Sequence, residues 1–124
     1  MTDAPADHAP VVHHVAAETP RDAPMAGLLR RRAAGERILV QDLEIDAGVG
    51  ADMHHHEMEQ LAVIIEGRMR FEVQDPDGAV RAFTAGPGDM VVLPSGAPHK
   101  AIAETRCRLI DVFSPPAEKT GIDG

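Results

Sequence analysis

Seven histidines are spread over the 124 residues, and His54, His55 and His56 are consecutive in the stretch ADMHHHEMEQL. In an extended strand His54 and His56 point to one side and His55 to the other. Two imidazoles two residues apart on one face make a pair of adjacent ligands for a divalent transition metal. Taken alone, the cluster reads equally as a solvated surface patch. Asp111, inside the apolar run RCRLIDVF, is a second group with chemical potential. A carboxylate on the inward side of such a strand costs several kcal/mol unless it has a partner or a task. Other candidates read more simply. Cys107 is the single cysteine, which excludes an intrachain disulfide, and it fits as a small core residue. Met53, Met58, Met69 and Met90 read as core or cavity filling, and His13 and His14 as tail or rim residues.

Elements that could position these groups are short. Gly (11 residues) and Pro (10) together make about one residue in six, a density of chain breakers that suits strands joined by turns. Turn signals recur at Ala34-Gly35-Glu36, Gly48-Val49-Gly50, Glu66-Gly67, Asp75-Pro76-Asp77-Gly78, Gly86-Pro87-Gly88 and Pro94-Ser95-Gly96. Several segments between them alternate. In RMRFEV, Met69, Phe71 and Val73 share one face, which makes Met69 and Phe71 candidates for a pocket wall. No long segment carries a helical period. The expectation is an all-β sandwich or small barrel of about eight short strands. Residues 1–22 read as a flexible tail, with VVHHV (Val11 to Val15) as a possible short strand, 23–118 as the barrel, and 119–124 as a C-terminal tail. LAVII is apolar in both phases, with Ala62 and Ile64 on one face and Leu61, Val63 and Ile65 on the other. A strand buried on both faces in so small a domain points to a partner, and a homodimer is expected.

Composition excludes whole classes of function. The formal charge is −8, which argues against a nucleic-acid surface. There is no Trp or Tyr and only 3 Phe, so stacking platforms for single strands are missing too. No apolar run approaches the ~20 residues of a membrane span, so no membrane partner is expected. Acidic residues stand where a secretory signal would carry cations and an apolar stretch. A soluble cytoplasmic domain is the expectation.

Spacing then sharpens the histidine reading. From Gly48 the chain runs five residues to His54-x-His56, three more to Gln60 and six more to Gly67. From Gly88 it runs five residues to Pro94-x-Gly96 and two more to His99. The chain resembles the cupin superfamily over about Met25 to Pro116, because these are the spacings of its two signature motifs. The sequence departs from them twice: Gln60 stands where the first motif has Glu, and Ala103 where the second closes with Asn. The resemblance implies a double-stranded β-helix, the cupin jelly-roll barrel, with one divalent metal (Zn, Fe, Ni or Mn) on His54, His56, Gln60 and His99. Gly67 would permit the tight turn after LAVIIE, and Pro94 and Gly96 would aim His99 inward. Glu59 competes with Gln60 for the ligand role, but only Gln60 leaves six residues before Gly67. A site of three imidazoles and one amide is neutral, so the ion would keep its full charge and act as a Lewis acid.

HxHxxEQ followed by EG, with Asp111-Val112-Phe113-Ser114-Pro115-Pro116, is similar to the small pectin-degradation cupins of the KdgF type, which linearise unsaturated uronates. That resemblance implies Asp111 as acid/base residue and Phe113 as pocket wall. The group's arginine, which helps to hold the substrate carboxylate, is replaced here by Ala117. Of Arg30, Arg31 and Arg32, on an expected strand, at least one should face inward by alternation. Three functions follow: a metal-dependent enzyme of non-redox isomerisation, ring opening or cyclisation on a small oxygen-rich molecule (sugar-acid or polyketide-like); an iron-dependent dioxygenase; or a ligand-binding module without turnover.

Overall fold

Turn residues at short intervals divide the chain into ten strands in a computed structural model that describes residues 7–123. They are β1 (Asp22–Met25), β2 (Leu28–Ala34), β3 (Leu39–Ile45), β4 (Gly50–His54), β5 (Glu59–Glu66), β6 (Met69–Gln74), β7 (Val80–Ala85), β8 (Met90–Leu93), β9 (His99–Ala103) and β10 (Cys107–Ser114). A single 3-10 turn, Ala16–Glu18, is the only helical piece among the described residues. VVHHV forms no strand, contrary to expectation. Val11 and Val12 are 94% and 68% exposed, and a β-branched segment without a neighbouring strand has nothing to pair with. Residues 1–6 of the expected 1–22 tail lie outside the described residues.

All strand pairs are antiparallel. One sheet has the order β1-β2-β3-β10-β5-β8 and the other β4-β9-β6-β7. Strict alternation directs their inner faces at each other. On β3, Leu39, Gln41, Leu43 and Ile45 are buried, and on β10 Cys107, Leu109, Asp111 and Phe113. The other sheet supplies Met69 and Phe71, and Phe71 stacks on Phe83 at 5.4 Å between ring centroids. Aliphatic and Met side chains fill the remaining core, as a chain without Trp or Tyr requires. This is the all-β jelly roll that the resemblance implies. Gly67 closes the β5–β6 turn at φ 82°, and a β-carbon there would collide with the Arg106 carbonyl.

Two methionines are not core. Met90 is 70% exposed and Met53 43%, because each lies on an edge strand, β8 and β4, and points outward. Met90 pairs with Val63 on the outer face of the six-stranded sheet, where Leu61 pairs with Val92. After β10 the chain crosses the open end of the barrel. Thr120 is buried and Ile122 packs against the core, in the segment read from sequence as a tail. Among the described residues no helix is long and apolar enough to cross a membrane.

Candidate metal centre

His54 ends β4 directly opposite His99, which begins β9. His56 lies just past β4, in the loop before β5, and not on the strand that alternation assigned to both. Gly96, in the turn between β8 and β9, donates its N–H to the His56 carbonyl at 2.8 Å, tying the two histidine-bearing loops together. In each ring Nδ1 faces a backbone carbonyl: His54 with Asp52 at 2.7 Å, His56 with Met58 at 2.8 Å, His99 with Ala97 at 2.9 Å. A proton held on Nδ1 in this way leaves the lone pair on Nε2. Ligand atoms of the three rings lie within 4.8 Å of one another. His99 has its pKa lowered to about 4, chiefly by burial and then by His54 and His56, so it is neutral and able to ligate at pH 7. His55 is exposed and outside the cluster.

Gln60, the second residue of β5, faces inward and is buried, while Glu59 is exposed. Its Oε1 stands 3.2 Å from His56 Nε2, and its Nε2 donates to Asp111 Oδ1 at 2.9 Å. With the amide so placed and the His56 proton on Nδ1, two lone pairs face each other. A shared cation resolves that conflict, so the donor set fits a divalent ion. Asp111 sits on β10, opposite Gln41 of β3 and Ala62 of β5. Burial raises its pKa to about 7, and the hydrogen bond from Gln60 opposes this only in part. His54, Gln60, His99, Asp111, Met69, Phe71 and Phe113 line one cavity of about 50 Å³, with Gln41, Thr120 and Ile122 also on its wall. Phe113 meets the His56 ring at 5.8 Å, tilted at 66°.

A second polar network adjoins the first. Arg30, 3% exposed, is the inward member of the arginine run. It donates to both carboxylate oxygens of Asp22, to Gln41 Oε1 at 3.3 Å and to Asp123 Oδ1 at 2.8 Å. Thr120 donates its hydroxyl to the same Gln41 oxygen at 3.2 Å. Burial alone would raise the Asp123 pKa, but the Thr120 N–H and Arg30 outweigh it and hold it low. Gln41 was findable from sequence as a polar residue in the inward phase of LVQDLEI. Thr120, Gly121 and Asp123 carried no such signal. Ala117 packs against Leu39, Met58 and Phe113, outside the cavity wall, so nothing there replaces the missing arginine. His13 and His14 line an open groove beside Arg30 and Arg32, away from the three-histidine cluster.

The cupin domain family matches residues 41–113, more than half of the chain and inclusive of every ligand candidate. The chain belongs to the cupin family. Among solved structures, this cupin is similar to an RmlC-like cupin from Shewanella frigidimarina, at 25% identity and TM-score 0.73, over 85% of this chain and 91% of that one. It is equally similar to KdgF from Halomonas sp., at 25% identity and TM-score 0.75, over 88% and 97%. Lactobacillus farciminis oxalate decarboxylase in its formate complex shares the fold at 21% identity and TM-score 0.77, with 91% of this chain covering 36% of that one. No curated protein matches the sequence.

Proposed function

We propose that this cupin is a metal-dependent enzyme that isomerises, opens or cyclises a small oxygen-rich molecule without redox chemistry. One observation carries the reading: the buried Asp111 carboxyl shares a cavity with His54 and His99, two of three converging imidazoles. A divalent ion held by His54, His56, His99 and Gln60 would supply Lewis acidity, stabilising negative charge on a substrate oxygen. Asp111 does the proton work, since it is a carboxyl on the cavity wall whose pKa burial raises toward neutrality. Gln60 fixes the Asp111 carboxyl through its N–H, and Phe113 walls the site from water. Likeness to KdgF from Halomonas makes an unsaturated uronate the first substrate to try. The protein is proposed to work in the cytoplasm as a homodimer, joined through the apolar outer face of β5 and β8.

The test is a proton NMR time course of an unsaturated uronate with the metal-loaded protein. Ring opening that depends on the metal and slows sharply in Asp111→Asn supports the reading. Oxygen uptake during turnover would replace it with the dioxygenase function. Saturable binding of the uronate without any turnover would replace it with the binding module.

A further inference from the structure

The cavity beside the three histidines, about 50 Å³, holds an ion and little more, far below the few hundred Å³ of a small-molecule site. What fills the rest of the barrel mouth is the chain itself. Gly121 lies on the His54 ring at φ 98°, so close that a β-carbon would collide with His54 Nε2, a metal-facing atom. Thr120 and Ile122 complete the cavity wall on either side of it. The segment is fastened at one charged point. One carboxylate oxygen of Asp123 accepts from Arg30 at 2.8 Å and the other from the Thr120 N–H at 3.0 Å.

Arg30 is built as an anion holder. It is buried, its Nε and Nη2 edge is fixed by Asp22, and its Nη1 is presented to Gln41 and Asp123. A guanidinium oriented by one carboxylate offers its remaining N–H groups to a second in a set direction. Charge counting gives the same answer: Arg30 and Arg32 face Asp22 and Asp123, with Arg32 3.9 Å from Asp22. Among the described residues, removing Asp123 leaves this cluster with one uncompensated positive charge. Arg30 also adjoins the reaction centre. Gln41, which it touches, stands directly opposite Asp111 on the neighbouring strand. A molecule with its carboxylate on Arg30 would lie along Gln41 toward Asp111 and the imidazoles.

We propose that Arg30 is the carboxylate anchor of this site, that Asp123 occupies it as an internal stand-in, and that a carboxylate-bearing small molecule displaces the segment Thr120–Asp123 in order to bind. The inference rests on the reading of the three-histidine cavity as a small-molecule site and names the class of molecule it admits. It also locates a carboxylate clamp in a chain that has Ala117 where an arginine would otherwise serve.

Asp123→Gly leaves beside Arg30 a space the size of acetate, which matches the whole deleted side chain. The zinc-loaded full-length protein and this variant are titrated with sodium acetate and with acetamide at fixed ionic strength, following the backbone amides of Gln41, Thr120 and Gly121 by NMR. The variant should bind acetate at least tenfold more tightly than the wild type, and acetamide should bind neither. Adding Arg30→Gln should abolish the gain. Should that double variant not fold, the Arg30 Nη1–H resonance in Asp123→Gly is read instead and should move with acetate. Equal acetate affinity in the two proteins, or a gain that survives loss of Arg30, would overturn the proposal. So would an Arg30 resonance that stays still. Metal content of the same samples is read separately. Acetate binding at Arg30 in a protein that takes up no metal would remove the metal-enzyme reading and keep the anchor, and the reverse outcome would do the opposite.

Discussion

Asp111 is the residue on which the chemistry turns. The sign of its pKa shift is not legible in sequence, since burial raises a carboxyl pKa and a nearby cation lowers it. In the metal-free fold burial outweighs the hydrogen bond from Gln60 and raises the pKa to about 7. Asp111→Asn keeps the shape and removes the titration. It should leave fold and metal content unchanged and lower turnover by roughly 10²-fold or more, the scale of a lost general acid/base. Near-normal turnover would remove Asp111 from the mechanism. The same pair of proteins gives a pH test in the metal-free state. Because the pKa is raised, the folded protein holds a proton that the unfolded chain releases. Its stability contribution is full below the ordinary carboxylate range and is lost as pH rises to about 7. Denaturant titrations should therefore show wild type losing stability relative to Asp111→Asn between about pH 4 and about pH 7, with the histidines cancelling in the difference. A constant gap would show that Asp111 is not desolvated.

At the scale of elements, β4, β5, β9 and β10 bring the reacting groups together, and the segment after β10 covers them. Gly121→Ala would force a side chain into the left-handed region and against His54. Hydrogen exchange should show protection lost at the Thr120 N–H and retained in β3, β5 and β10. Unchanged protection at Thr120 would mean that the segment tolerates the contact. Acid should release the same segment. The Asp123 carboxyl is held low, so its contribution is present above the ordinary carboxylate range and lost as pH falls through its lowered value. How legible each element was follows from what specified it. Gln60 and His99 could be read from gap lengths, because turn positions fix which residue reaches the barrel interior. Arg30 was one of three candidates, and alternation could say only that at least one pointed inward. Met53 and Met90 went astray because hydrophobicity does not reveal which face of an edge strand is covered. Thr120 and Asp123 were invisible. Their burial depends on crossing the barrel mouth to Gln41 and Arg30, a long-range contact with no local pattern.

The whole molecule presents one unusual surface and one organising centre. Across β3, β10, β5 and β8, Val40, Val112, Leu61 and Val92 form a row on the outer face, beside Ile110, Val63 and Met90. This is the face proposed to pair with a second copy. Val92, 62% exposed, can be changed without opening the core. Sedimentation should find wild type as a dimer and Val92→Glu shifted toward monomer, with metal content unaltered. A monomeric wild type would leave that face without its proposed partner. The organising centre draws ligands from both sheets and the loop between them, so its occupancy reports on the entire arrangement. Metal per chain, measured by elemental analysis of zinc-loaded wild type, His55→Ala, His56→Ala and His99→Ala, is the most direct test. The expected result is about one ion per chain in wild type and His55→Ala, whose ring points to solvent, and a sharp loss in the other two. Full occupancy in both His56→Ala and His99→Ala, or no uptake by the wild type, would contradict the metal centre.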